Sequence, residues 1–198
     1  MKNRIKHSST LTILLLVFLA ACSSGEDKRS STELDKAIEN IEALGEVKTS
    51  IEKRELSDAL AIIKKYALKG NQSAMFWIAE GRSLDNTDKN YVSLADSMKW
   101  LEKAALKGHV DAALSLADLY AQEAAVKSAD KAYFWYYIGY YSKDGKVLEL
   151  SKDRNNPVPG DFRSESGVDE VVKQLSNEKL LEIEIQAKAW LAKHYKKT

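Results

Sequence analysis

The chain has 198 residues, 44% hydrophobic and 30% charged, which suffices for one soluble domain with its own core. Formal charge is +1; Lys2, Arg4 and Lys6 lie in the first 21 residues, which hold no acid, so the remainder stands at about −2 and offers no positive field for nucleic-acid phosphates. One cysteine, Cys22, excludes an internal disulfide, and the two prolines, Pro157 and Pro159, leave room for long helices on either side.

The first element is an export signal over residues 1–21. Lys2, Arg4, Lys6 and His7 precede an apolar run from Leu11 to Ala20. That run is shorter than the roughly 20 apolar residues of a membrane-spanning helix. Leu19-Ala20-Ala21-Cys22 then resembles the lipobox of bacterial lipoproteins. The resemblance implies cleavage between Ala21 and Cys22, a diacylglyceryl group on the Cys22 sulfur, and a further acyl chain (palmitate) on the new terminus. The other reading is a plain secretory signal with a chance cysteine, which would leave a lone thiol in an oxidising compartment. Two or three acyl chains, at about 0.8 kcal/mol per buried methylene, anchor far more firmly than one. Ser23, where inner-membrane lipoproteins carry Asp, implies the outer membrane, facing the periplasm. Residues 22–31 read as a flexible tether, because 23–31 contain no apolar side chain.

Residues 32–198 form the expected folded domain. Leu34, Ile38, Ile41 and Leu44 share one helical face after Thr32, with Gly45 as the stop, which predicts a capping helix. Two segments then align without gaps. Asp58 to Ala79 and Asp96 to Ala117 share Ala-Leu-Lys-Gly, then Ala four residues on, then Ala after five more, at an offset of 38 residues. Gly70 and Gly108 fall where a helix ends and the chain needs a left-handed residue. Ala67 and Ala105 before them, and Ala74 and Ala112 after them, let antiparallel helices approach closely. Each unit is therefore a helix–turn–helix hairpin that buries its apolar face by stacking on its neighbour.

These residues resemble the Sel1-like repeat, a relative of the tetratricopeptide repeat, and Trp100 to Ala112 fits that pattern closely. The resemblance implies an all-α fold, a short α/α solenoid. Its repeats cover about 57–92 and 95–128. A partial third at 129–145 opens with Asp130-Lys-Ala-Tyr-Phe-Trp135 but runs Ile138-Gly139 where the turn motif belongs. Asp85 to Asn90 is the extra loop of the first unit. A loop follows over 146–167, holding both prolines, and C-terminal helices over 168–195. The expected helices are roughly 50–68, 71–83, 93–106, 109–125 and 129–142. A last one is capped by Ser176 and faces Ile183, Ala187, Trp190 and Leu191 inward. No segment alternates with period two, so almost no strand is expected.

No residues assemble a catalytic set. No Gly-rich phosphate loop, His-Glu-x-x-His or Gly-x-Ser-x-Gly pattern occurs. His109 and His194 lie in different elements without a second ligand at metal spacing, and His109, at a surface position after the turn glycine, reads as structural or idle. Acid pairs such as Asp169 and Glu170 belong to a solvated face. No enzyme, metal or cofactor is expected. The aromatic run Tyr133 to Tyr141 stands out. The repeat explains Tyr133, Phe134 and Trp135 as core, while Tyr136, Tyr137, Tyr140 and Tyr141 exceed its needs and spread over more than one helical face. Core packing with hydroxyls at the edge is one reading; a protein-binding surface is the other. A solenoid's concave face suits an unidentified protein partner, which makes an envelope adaptor or scaffold the first expectation. The resemblance also implies an alternative, because Sel1-like lipoproteins occur among immunity proteins against toxic secreted effectors such as periplasm-acting phospholipases.

Overall fold

The computed structural model describes residues 32–45, 49–142 and 167–195. The signal segment 1–21, Ala21 and Cys22, the tether 22–31 and the loop at 146–166 lie outside the described residues. Among those described the fold is all helical, with no strand.

Helix α1 covers 32–44 and ends at Gly45, whose φ is +55°. Leu34, Ala37 and Ile41 are buried, and Ile38 and Leu44 pack half-buried beside them, so its apolar stripe caps the first repeat as expected. Its Glu33 accepts from the Lys65 ammonium at 2.7 Å and the Tyr66 hydroxyl at 2.9 Å, both near the end of the next helix. Helix α2 spans Ser50–Leu68 and opens with a reciprocal cap. Glu52 N–H donates to Thr49 Oγ1, and Thr49 N–H donates to Glu52 Oε2. Helix α3 spans Gln72–Ala79 and runs on into one 3-10 turn, Glu80–Ser83. Asn71 caps it.

The second unit repeats this. Helix α4 spans Leu94–Ala105 behind a Ser93 cap, and α5 spans Val110–Gln122. Both hairpin turns use the same device. Gly70 and Gly108 sit at φ +94° and +93°. Asn71 N–H returns to Tyr66 O and His109 N–H to Ala104 O, which closes a helix C-terminus in a left-handed cap. Ala67, Ala74, Ala105 and Ala112 are all buried, so the small residues mark the helix–helix contacts. The extra loop is stitched to α2 rather than left loose. Asp88 accepts from the Ser57 hydroxyl at 2.9 Å, and Asn90 donates to the Ser57 carbonyl at 2.7 Å.

Helix α6 spans Ala129–Ser142. It runs straight through Gly139, where the other units turn. A Cβ at Gly139 would stand 2.4 Å from Leu114 Cδ2 and 2.8 Å from its Cγ, so this glycine lets α6 lie close against α5. Helix α7 is short, Val168–Val172, and α8 spans Asn177–His194 behind a Ser176 cap. Helices α2 to α6 pack each on the next, and α8 packs back on α6. Lys179 near its start pairs with Asp130 at 3.2 Å, while the Tyr195 hydroxyl just past its end donates to the Ala105 carbonyl. Helix α8 thereby ties the third unit to the turn of the second. Ile183, Ala187 and Leu191 are buried as expected, and Trp190 is half-buried.

Candidate binding surface

The four tyrosines singled out from the sequence do not form one exposed face. Tyr136 and Tyr137 are 4% and 2% exposed, and Tyr140 and Tyr141 are half-buried. The reason is the position of α6, which meets α5, α7 and α8 at once, so faces that look surplus to a two-helix repeat are covered. The Tyr136 hydroxyl donates to Asp118 on α5. Burial raises the Tyr136 pKa well above the ordinary phenol value, and the bond to Asp118 adds to this. Burial, then the Glu184 carboxylate, pushes Tyr137 up to about 12. Neither hydroxyl ionises near neutral pH. The rings of Tyr137 and Tyr141 stack at 6.0 Å, and Tyr136 and Tyr140 lie 6.5 Å apart. Of the four, Tyr140 and Tyr141 keep some contact with solvent.

His109 is structural, the first of the two readings that its place after the turn glycine allows. Its Nδ1 accepts from Ala112 N–H at 3.3 Å, so the imidazole caps α5. The ring stacks on Phe76 of α3 at 4.6 Å and 17°. Burial lowers its pKa, with the Asp111 carboxylate pulling the other way. The neutral ring is the form that can accept the bond. Glycine followed by a residue with an acceptor, as in Gly70-Asn71, is the signal that could have found it.

A shallow groove of about 530 Å³ opens beside this cap, lined by Gly70, Gln72, Leu106, Lys107, His194 and Tyr195. Three separate elements build it. Gly70 and Gln72 come from the first hairpin turn, Leu106 and Lys107 from the second, and His194 and Tyr195 from the end of α8. The two turns come together because the repeats stack in register. Tyr195 is held in place by its bond to Ala105 and by the edge of Trp190 at 5.5 Å. Trp190 in turn meets Trp135 edge-on at 5.6 Å. The groove therefore has a rigid aromatic wall, an exposed leucine and a lysine whose ammonium lies 3.5 Å from where a Gly70 Cβ would stand. It joins apolar contact to a cation. No cluster of three metal-ligating side chains occurs among the described residues, and no described helix is long and apolar enough to cross a membrane.

The sequence matches no family model and no curated protein. Among solved structures it is similar to a protective antigen present in uropathogenic Escherichia coli strains, which displays a Sel1-like-repeat (SLR) fold. The two share 15% identity and superpose with a TM-score of 0.56 over 86% of this chain. The match spans 32% of that longer chain. The chain is thus an all-α protein with a Sel1-like-repeat fold.

Proposed function

We propose that this protein is a binding module of the bacterial envelope, an adaptor or scaffold without catalytic chemistry, held to the outer membrane by lipid on Cys22. The observation that carries the binding role is the groove at the turn end of the repeats. A short linear segment of a partner can lay apolar side chains against Leu106 and Tyr195 while Lys107 meets its polar or acidic groups. The fold suits this work, because stacked hairpins hold side chains from distant parts of the chain on one rigid surface. The tether rests on Leu19-Ala20-Ala21-Cys22 and the polar residues behind it.

The test compares the native protein with a Leu106→Asp/Lys107→Glu variant in quantitative affinity capture from envelope membranes. Both substitutions are at exposed positions, so helix content should be unchanged. Proteins retained by the native chain should be lost from the variant; identical capture by both would remove the groove from consideration. In the same cells Cys22→Ser should abolish acyl labelling and release the protein from the membrane. Labelling that persists would overturn the lipid anchor.

A further inference from the structure

Helix α8 has two apolar faces, and only one is used. Leu180, Ile183, Ala187 and Leu191 are buried in the core. On a second side of the helix, about a third of a turn round, Leu181 and Ile185, one turn apart, are each 59% exposed. A solenoid stays soluble when its terminal helices turn a polar side outward. Here the outward side carries a seam instead. Glu178, Leu181, Ile185, Lys188 and Ala192 follow one another at spacings of three and four residues, which is the stripe a second helix packs along.

We propose that this stripe pairs antiparallel with the α8 stripe of a second copy of the chain. The order of residues argues for that occupant. In an antiparallel pair with its dyad between the two apolar residues, Leu181 packs on Ile185 of the other copy, and Ile185 on its Leu181. The same register sets Glu178 beside Lys188 of the other copy at both ends of the contact. A parallel pair would stack Glu178 on Glu178 and Lys188 on Lys188, so these end charges favour the antiparallel arrangement; the two Glu182 carboxylates then approach each other at the dyad, each paired with its own Lys179 at 3.1 Å. A stripe that complements itself when reversed is what a two-fold symmetric interface requires. The contact is small, and Glu178 and Lys188 are exposed, so the dimer forms and separates readily. It uses none of the groove's lining residues, so a dimer presents two grooves and gains from partners that carry two binding segments.

The experiment introduces a photo-cross-linking residue at position 182, beside the seam and close to the dyad, in the full-length protein in cells. A cross-linked species at twice the monomer mass is expected. Glu178→Lys or Lys188→Glu alone replaces both end pairs with like charges and should lower the cross-linked fraction about tenfold. The double variant Glu178→Lys/Lys188→Glu restores opposite charges and should recover it. Circular dichroism of each purified variant checks that the helices persist. Absence of the doubled species, cross-linking to a different protein, or failure of the double variant to recover would each overturn the proposal.

Discussion

The Tyr133 hydroxyl donates to Glu184 Oε1 at 2.7 Å, and both side chains are buried. This bond joins α6 to α8 inside the core, across 51 residues of sequence. A carboxylate in an apolar surrounding is costly unless donors satisfy it. Tyr133→Phe keeps the ring and removes the donor. Urea unfolding should show a loss of about 1–3 kcal/mol. A change within experimental error would mean that Glu184 finds an equivalent donor as soon as the hydroxyl is gone.

Gly139 sets a second test of the same region. In an ordinary helix interior Gly→Ala stabilises by about 1 kcal/mol. Here the new methyl would collide with Leu114, at 2.4 Å from Cδ2 and 2.8 Å from Cγ. Leu114 must leave its rotamer or α5 must move away, an overpacking cost of about 1–3 kcal/mol. Gly139→Ala should therefore lower stability. Adding Leu114→Ala vacates the space, so in that background Gly139→Ala should stabilise. A double-mutant cycle reads the sign change directly; additive effects would show that the two residues do not compete for space.

Much of this fold is legible from local signals. Ala-Leu-Lys-Gly occurs twice and encodes a backbone event, a helix end in the left-handed region, so both turns and the end of the 50–68 helix lie where the sequence places them, and the 129–142 helix does so without that motif. The shortfall of α5, which ends at Gln122 rather than near 125, follows from Ser128. Its N–H returns to the Tyr120 carbonyl and its side chain receives Lys131 N–H, so the chain must bend early to start α6. The tyrosines were less legible. Whether Tyr136 and Tyr137 face water depends on α7 and α8, which fold back from far along the chain, and periodicity within α6 carries no word of that. The groove has the same character, since Gly70, Lys107 and Tyr195 meet only after stacking.

The two turn glycines make a matched pair. A Cβ at Gly108 would find nothing nearer than Tyr195 Cε1 at 3.9 Å, and one at Gly70 nothing nearer than the Lys107 ammonium at 3.5 Å. Space is available at both, so the cost of alanine is the left-handed backbone alone, about 1–2 kcal/mol each. Gly70→Ala and Gly108→Ala should show similar losses of denaturation midpoint. A much larger loss at one turn would mean that its backbone changes conformation and pulls the groove apart.

His109 gives the fold a pH dependence whose sign is fixed by its pKa. Burial lowers that value in the folded protein below the ordinary 6.5, so the unfolded chain binds the proton more readily. The contribution of the cap is complete above pH 6.5. It is lost as pH falls from there through the lowered folded value, and it levels off below it. Protonation removes the Nδ1 acceptor and also sets a positive charge at the N-terminus of α5, where the helix dipole disfavours it. His109→Asn supplies a carbonyl acceptor at the same position and does not titrate. Near neutral pH the two proteins should differ little beyond the lost stacking on Phe76. Between pH 7.5 and 5.5 the wild type should lose stability relative to the variant by no more than about 1.4 kcal/mol, the most that one proton taken up below pH 6.5 can contribute over that span. Urea midpoints at a series of pH values measure the difference, which cancels the other titrating groups. Parallel curves would mean that the imidazole takes up its proton without giving up the cap.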